Sequence, residues 1–163
     1  MTILIRFSLF FLLFGLLTAC GSDLRGKPAP DFERVDLDGE LQALEKHRGK
    51  VVMLYFWADW CPTCKKEFPQ TQEYYEELAG EDFELLAINV AQPKEASEAF
   101  REKYGATFPM LTDEKSEITD LYNVEILPTN YFIDPEGKII RRIDGFVDKN
   151  QARVMIKQHR KEK

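Results

Sequence analysis

The stretch Val51–Pro69 reads VVMLYFWADWCPTCKKEFP, and the rest of the chain is organised around it. Its first seven residues, Val51–Trp57, are apolar, β-branched and aromatic, the composition of a strand buried on both faces in a parallel sheet. The chain then turns sharply and sets Cys61, Pro62, Thr63 and Cys64 where a helix begins. Pro62 suits the first helical position, because it has no N–H to leave unpaired and its φ is already helical. Cys61 then falls at the N-cap, facing free backbone N–H groups and the positive end of the helix dipole. Cysteines so placed have pKa values of roughly 3.5–7.5, and the thiolate is the form that attacks disulfides. Cys64, three residues on, is close enough to close a short disulfide with Cys61.

Two other readings of Cys-x-x-Cys compete with redox chemistry. A structural zinc site needs four ligands. Only His47 and His159 could join the pair, and neither has a ligand-like spacing. A purely structural disulfide across so short a loop would constrain the unfolded chain little. The strand–turn–helix setting therefore favours a redox pair, which calls for no metal and no cofactor beyond its two sulfurs.

The chain of 163 residues suits one domain after a separate leader. Met1–Arg6 is a short n-region with one positive charge, and Phe7–Leu17 is an apolar run of signal-peptide length, short for a membrane span. It ends in Leu17-Thr18-Ala19-Cys20-Gly21, which resembles the bacterial lipobox. Residues 1–19 are thus expected to be a lipoprotein signal peptide, with cleavage before Cys20 and a lipid on its sulfur. An uncleaved anchor is the main competitor. Either way the domain is exported and held at the extracytoplasmic, periplasmic face of a membrane. Residues 20–30 would be the lipidated tether and 31–163 the domain. With Cys20 consumed by lipid, Cys61 and Cys64 are the only thiols left. Outside the cytosol such a pair tends to oxidise, so a reductant there needs an electron donor. The net charge of −6, more negative still once Arg6 leaves with the signal, argues against a nucleic acid or anionic headgroups as partner.

Further along, Phe32–Asp36 and Glu40–Leu44 read as a hairpin turning at Asp38-Gly39. Ala43–Lys50 is a polar connection in which His47 reads as solvated. The helix after Cys61 is expected to run to about Ala79, with Phe68, Thr71, Tyr75 and Leu78 buried, a kink at Pro69 and a stop at Gly80. Phe83–Val90 is a second apolar strand. Lys94–Tyr104 is a helix with Ala96, Ala99, Phe100 and Tyr104 inward. Thr107–Leu111 is a short strand, and Ser116–Tyr122 a short helix with Ile118, Leu121 and Tyr122 inward. Asn130–Ile133 and Lys138–Ile143 form a hairpin through Asp134-Pro135-Glu136-Gly137. Asp148–Gln151 resembles a capping box opening a last helix, Lys149–His159. Strands alternating with helices, then an antiparallel hairpin and a final helix, give an α/β protein with a mixed sheet covered on both faces.

Trp57-Ala58-Asp59-Trp60-Cys61-Pro62-Thr63-Cys64-Lys65 resembles a thioredoxin active site, and Ile126-Leu127-Pro128-Thr129 resembles that fold's cis-proline loop. Gly26-x-Pro28-Ala29-Pro30-Asp31-Phe32, Lys65-Lys66-Glu67-Phe68-Pro69 and Phe132-Ile133-Asp134-x-x-Gly137 are similar to the exported, membrane-anchored TlpA/ResA-like reductases, which include the thioredoxin-like proteins of cytochrome c maturation. The resemblance implies a thioredoxin-like fold with a central mixed sheet flanked by helices. It also implies an N-terminal hairpin and an extra helix and strand in Gln92–Leu111.

It further implies that Cys61 is the attacking thiol, Cys64 the resolving one and Pro128 a cis-proline facing them, with Leu127 offering backbone to a substrate peptide. Trp60, Pro62 and Thr63 would share in meeting the substrate, while Trp57 belongs to the core. Glu67, three residues after Cys64 on the same helical face, would move the proton that Cys64 loses and regains. The competing reading is a solvated charge beside Lys65 and Lys66. Minimal thioredoxins carry a buried aspartate six residues before the first cysteine, whereas this chain has Tyr55 there, which leaves Glu67 as the candidate shuttle. The implied activity is reduction of disulfides in exported proteins such as apocytochrome c, fed by a membrane thiol reductase. A thiol oxidase would use the same residues in reverse. A peroxidase fits less well, because that likeness is confined to Pro28–Phe32 and Ala58 replaces the threonine it needs. A copper-delivery module would bind metal at Cys61 and Cys64 without turnover.

Overall fold

The computed structural model describes residues 24–78 and 82–159. The leader, Cys20, the first residues of the expected tether and the helix stop at Gly80 lie outside them. Two short strands, β1 (Glu33–Val35) and β2 (Leu41–Ala43), pair as the antiparallel hairpin expected from the sequence. The Asp36 carboxylate holds its turn, accepting the backbone N–H groups of Asp38 and Glu40, both at 2.9 Å. A 3-10 turn, Leu44–His47, leads into β3 (Val51–Trp57), every residue of which is buried. His47 is not solvated as expected. Its Nε2 lies 3.0 Å from Gln42 Oε1, and burial lowers its pKa below the ordinary value.

Helix α1 (Pro62–Leu78) follows, then β4 (Phe83–Val90), α2 (Lys94–Tyr104), β5 (Met110–Asp113), α3 (Glu117–Leu121), β6 (Thr129–Ile133), β7 (Ile139–Asp144) and α4 (Lys149–His159). The main sheet has the order β5-β4-β3-β6-β7, with β3, β4 and β5 parallel and β6 and β7 antiparallel to their neighbours. This is the mixed thioredoxin-like sheet that the resemblance implies.

Alternation along the strands separates two cores. Val51, Met53, Tyr55 and Trp57 face the side that carries Cys61, Cys64 and Phe68, while Val52, Leu54 and Phe56 face the side that carries Phe32, Ile118, Tyr122 and Tyr131. Both are dense with aromatic rings. Phe68 packs against Trp57, Phe100, Tyr104 and Phe108 on the first, with ring centroids 4.6–5.6 Å apart. Such pairs add stability beyond area burial alone.

Several boundaries differ from the sequence reading. Helix α1 runs through Pro69 to Leu78 much as expected, but its buried set is Cys64, Glu67, Phe68, Thr71, Gln72 and Tyr74, with Tyr75 and Leu78 only partly buried. The strand expected at Thr107–Leu111 lies instead at Met110–Asp113. Thr107 is tied to α1 by two bonds with the Gln72 amide, 3.0 and 2.8 Å, and Pro109 has no N–H for a ladder. Ala99 and Leu121 point outward, and Ser97 and Thr119 take the inward seats. The last helix opens on the expected capping box. Asp148 accepts the N–H groups of Asn150 and Gln151, and the Gln151 side chain accepts that of Asp148.

Residues Gly26–Ala29, expected as tether, dock on the start of β7. Gly26 N–H donates to Ile139 O at 2.8 Å, Ile139 N–H to Lys27 O at 2.9 Å and Ala29 N–H to Gly137 O at 2.9 Å. The outer edge of β7 is thereby partly covered, which an exposed edge strand needs. Gly137 turns the hairpin with φ +84°, a conformation that strains any residue with a Cβ and so favours glycine.

Candidate active site

The end of β3 delivers Ala58, Asp59 and Trp60 into the turn that starts α1. Cys61 and Cys64 form a disulfide with Cα atoms 5.3 Å apart. Cys61 sits just before the first helical residue, Pro62, and its sulfur accepts the backbone N–H of Cys64 at 3.1 Å. This is the N-cap arrangement read from the sequence. A negative charge on that sulfur is stabilised by the N–H and by the helix terminus. Cys64 has no exposed surface, and Cys61 keeps 3% of its own. Around Cys61 the rim is open, with Trp60 62% exposed and Pro62 and Thr63 also at the surface. Trp57, by contrast, is fully buried, its ring centroid 4.3 Å from that of Phe100.

The Leu127–Pro128 peptide is cis. Because β6 runs antiparallel to β3 and Thr129 lies opposite Phe56, this loop emerges at the same end of the sheet as the Ala58–Cys61 turn. Thr129 braces it, its hydroxyl lying 2.7 Å from Ile126 O and 3.0 Å from Asp144 Oδ1, and Gly145 N–H donates to Pro128 O at 2.8 Å. Pro128 is buried, Leu127 half-buried and Ile126 exposed.

Glu67 is 5% exposed, whereas Lys65 and Lys66 beside it are exposed. Burial pushes its carboxyl up to about 7, partly offset by the Tyr55 hydroxyl. A carboxyl in that range exchanges protons readily at neutral pH. One side of it opens on a surface cavity of about 290 Å³ that is also lined by Thr63, Lys66, Gln70 and Phe146.

Sequence reasoning missed a clamp on the redox loop. Gln92, just after β4, accepts the Asp59 backbone N–H on its Oε1 at 2.8 Å and donates its Nε2 to Asp59 Oδ1 at 2.5 Å. Asn89 donates to the same Oε1 at 2.9 Å. The one available signal was Asn89 itself, an amide that follows the apolar run Leu85–Ile88 late in the strand and is fully buried.

The sequence matches the AhpC/TSA family over residues 25–142, well past the Pro28–Phe32 stretch to which any likeness to the neighbouring peroxidase-type family was expected to be confined. Thiol-disulfide oxidoreductase ResA of Geobacillus thermodenitrificans is 40% identical over 134 residues, 82% of this chain and 75% of that one. The chain belongs to the ResA-like thiol-disulfide oxidoreductases of the AhpC/TSA family. Among solved structures, a protein assigned as thiol:disulfide interchange protein DsbE from Chlorobium tepidum superposes on this ResA-like chain with a TM-score of 0.76 at 30% identity, covering 83% of this chain and 96% of that one. The exposed lipoprotein thioredoxin of Streptococcus pneumoniae gives 0.67 at 32% identity, covering 79% and 99%. The ResA-like protein is an enzyme of thiol–disulfide exchange with a thioredoxin-like fold.

Proposed function

We propose that this ResA-like enzyme works as a reductant of disulfides in exported proteins, apocytochrome c among them, held at the extracytoplasmic face of a membrane by lipid on Cys20. The Cys61 thiolate attacks a substrate disulfide, forms a mixed disulfide and expels one substrate thiolate. Cys64 gives its proton to Glu67 and attacks the Cys61 sulfur. The second substrate thiolate leaves, and the Cys61–Cys64 disulfide closes. A membrane thiol reductase then returns two electrons to the pair. Trp60, Pro62, Thr63 and the Leu127 backbone meet the substrate, with Pro128 opposite the sulfurs.

The observation that carries this reading is Glu67, a buried carboxyl in the neutral range one helical turn beyond Cys64. Proton removal from the resolving thiol is the step that a buried pair cannot perform unaided. The lipid anchor is supported by the Leu17–Gly21 motif and by likeness to a pneumococcal protein described as an exposed lipoprotein. Docking of Gly26–Ala29 on β7 would leave only a few residues between lipid and domain, holding the enzyme close to the bilayer.

The reduction potential of the Cys61–Cys64 pair, measured by equilibration with dithiothreitol or glutathione, tests the direction of exchange. A value near or below about −270 mV supports a reductant fed by a membrane donor. A value near about −120 mV makes the protein an oxidase, and the maturation reading falls.

A further inference from the structure

Beneath α1, three polar atoms of three different elements are buried without a hydrogen-bond partner in the protein: Tyr55 Oη, Glu67 Oε2 and Asn130 Oδ1. They belong together by construction. Tyr55 lies opposite Asn130 in the β3–β6 ladder, so both side chains rise from the same face, the one that carries the disulfide. Helix α1 crosses that face at Tyr55, whose ring centroid lies 6.2 Å from that of Phe68, and it brings Glu67, one turn after Cys64, to the Tyr55 hydroxyl. The Asn130 amide nitrogen is committed to Gly145 O at 2.8 Å, which leaves its oxygen as a second acceptor. Tyr55 is the one donor of the three, and it is 1% exposed.

We propose that Tyr55 is a positioning residue for Glu67: its hydroxyl, directly or through one water shared with Asn130, holds the carboxylate form and so sets the pH range in which Cys64 can be deprotonated. This rests on Glu67 being the proton acceptor. The coupling runs both ways. Burial first, and then the nearby carboxyl, drive the Tyr55 hydroxyl well above its ordinary pKa, and the hydroxyl works against the burial that raises Glu67. Other titratable groups near Glu67 are Tyr74 on its own helix, Asp148 at the start of α4 acting through Tyr74, and Lys66 on the cavity rim. In the exchange itself, the Cys64 S–H gives its proton to the Glu67 carboxylate. The Cys64–Cys61 bond forms as the bond from Cys61 to the substrate breaks. Glu67 then returns its proton to the departing thiolate or to water in the cavity, and Tyr55 keeps its proton throughout.

The test uses the full-length protein in detergent with Cys61 loaded as a mixed disulfide with glutathione, and measures the resolving rate against pH by release of glutathione. Tyr55→Phe is expected to raise the midpoint by about one pH unit, the effect of losing one hydrogen bond to a carboxylate. The rate at pH 7 would then fall about fivefold and recover at higher pH. Tyr55→difluorotyrosine, which keeps the shape and strengthens the donor, is expected to lower the midpoint, and it carries the test if the phenylalanine variant folds poorly. In a Glu67→Gln background neither change should move the profile. An unmoved midpoint in the Tyr55 variants, with Glu67→Gln altering the profile, overturns the role of Tyr55 and leaves that of Glu67 standing. A Tyr55 effect that persists without Glu67 also overturns it. An unchanged profile in Glu67→Gln alone removes the proton-acceptor reading, and this inference with it.

Discussion

The two faces of the central sheet treat buried polar groups in opposite ways. On the face away from the disulfide they close on one another. The Tyr122 hydroxyl donates to Pro30 O at 2.7 Å and the Tyr131 hydroxyl to Tyr122 O at 2.6 Å. The Asp113 carboxylate, with no exposed surface, accepts the N–H groups of Ile118 and Thr119 and the Thr119 hydroxyl. On the disulfide face, Tyr55, Trp57, Glu67, Asn89, Ser97, Thr112 and Asn130 each keep a buried polar atom that has no partner among the described residues, whereas off that face Arg34 Nε, beside Asp113, is the one such atom among them. A buried polar atom without a partner costs about 1–3 kcal/mol. Native proteins tolerate such atoms mainly where function needs them. The difference sets a face whose buried polar groups add to stability against an equally well packed one that keeps unsatisfied groups around the sulfurs.

The largest effect that could break this comparison belongs to Asp113→Ala. It strands two backbone N–H groups and a hydroxyl in the core, and removes the charge that faces Arg34 at 3.9 Å. Denaturant unfolding of the oxidised protein should show a loss of about 3–4 kcal/mol. The reduction potential should stay where it was, because Asp113 lies on the opposite face from the pair. A loss under about 1 kcal/mol would mean that this face does not bear the stability assigned to it.

Glu67 supplies the next effect, and its sign follows from its raised pKa. Between its ordinary value of 4.5 and about 7, the folded protein keeps a proton that the unfolded chain has released. Stability therefore falls as pH rises through that window and levels off above it, by at most about 3 kcal/mol. Glu67→Gln removes this slope, so its stability relative to the parent should grow from pH 4.5 to 7. His47, whose lowered pKa costs stability in the acid direction, cancels in that difference. A flat difference between the two proteins would show that Glu67 is not held in a desolvated site.

Much of this architecture was legible in the chain, and the exceptions have physical causes. The β3–α1 unit was readable because burial of β3 on both faces and the Cys-Pro start of α1 are local signals. The Asp134 turn and the Asp148 cap were readable because a side chain there bonds its own nearby backbone, and the first hairpin was readable from Asp38-Gly39, although the carboxylate that holds its turn is that of Asp36. The burial of Glu67 was legible only with the help of the family resemblance, since Lys65-Lys66-Glu67 by itself reads as a charged surface and docking of α1 on β3 decides which of the three points inward. The Gln92 clamp and the contacts of His47 were hidden for the same reason, as their partners are brought near by packing and not by spacing. Ala99 and Leu121 misled because apolar periodicity favours them, while Ser97 and Thr119 fit the available space.

The smallest effect separates two kinds of unpaired group on the disulfide face. Trp57, Asn89 and Thr112 stand side by side across β3, β4 and β5, and Ser97 lies on α2, whose Phe100 packs against Trp57. Asn89 joins the row to the Gln92 clamp, and none of the four side chains is itself titratable. Ser97→Ala deletes a fully buried hydroxyl that has no partner and adds a better helix former. It should therefore stabilise the oxidised protein by about 0.5–1 kcal/mol and leave the pH profile of exchange unmoved. The sign is opposite to that at Asp113, although both changes remove buried oxygen. A destabilisation of more than about 1 kcal/mol would mean that the hydroxyl is bonded after all, through water that also reaches Asn89 and Thr112. A shifted pH profile would join this row to the proton chemistry of Glu67, and the disulfide face would then act as one polar network instead of two.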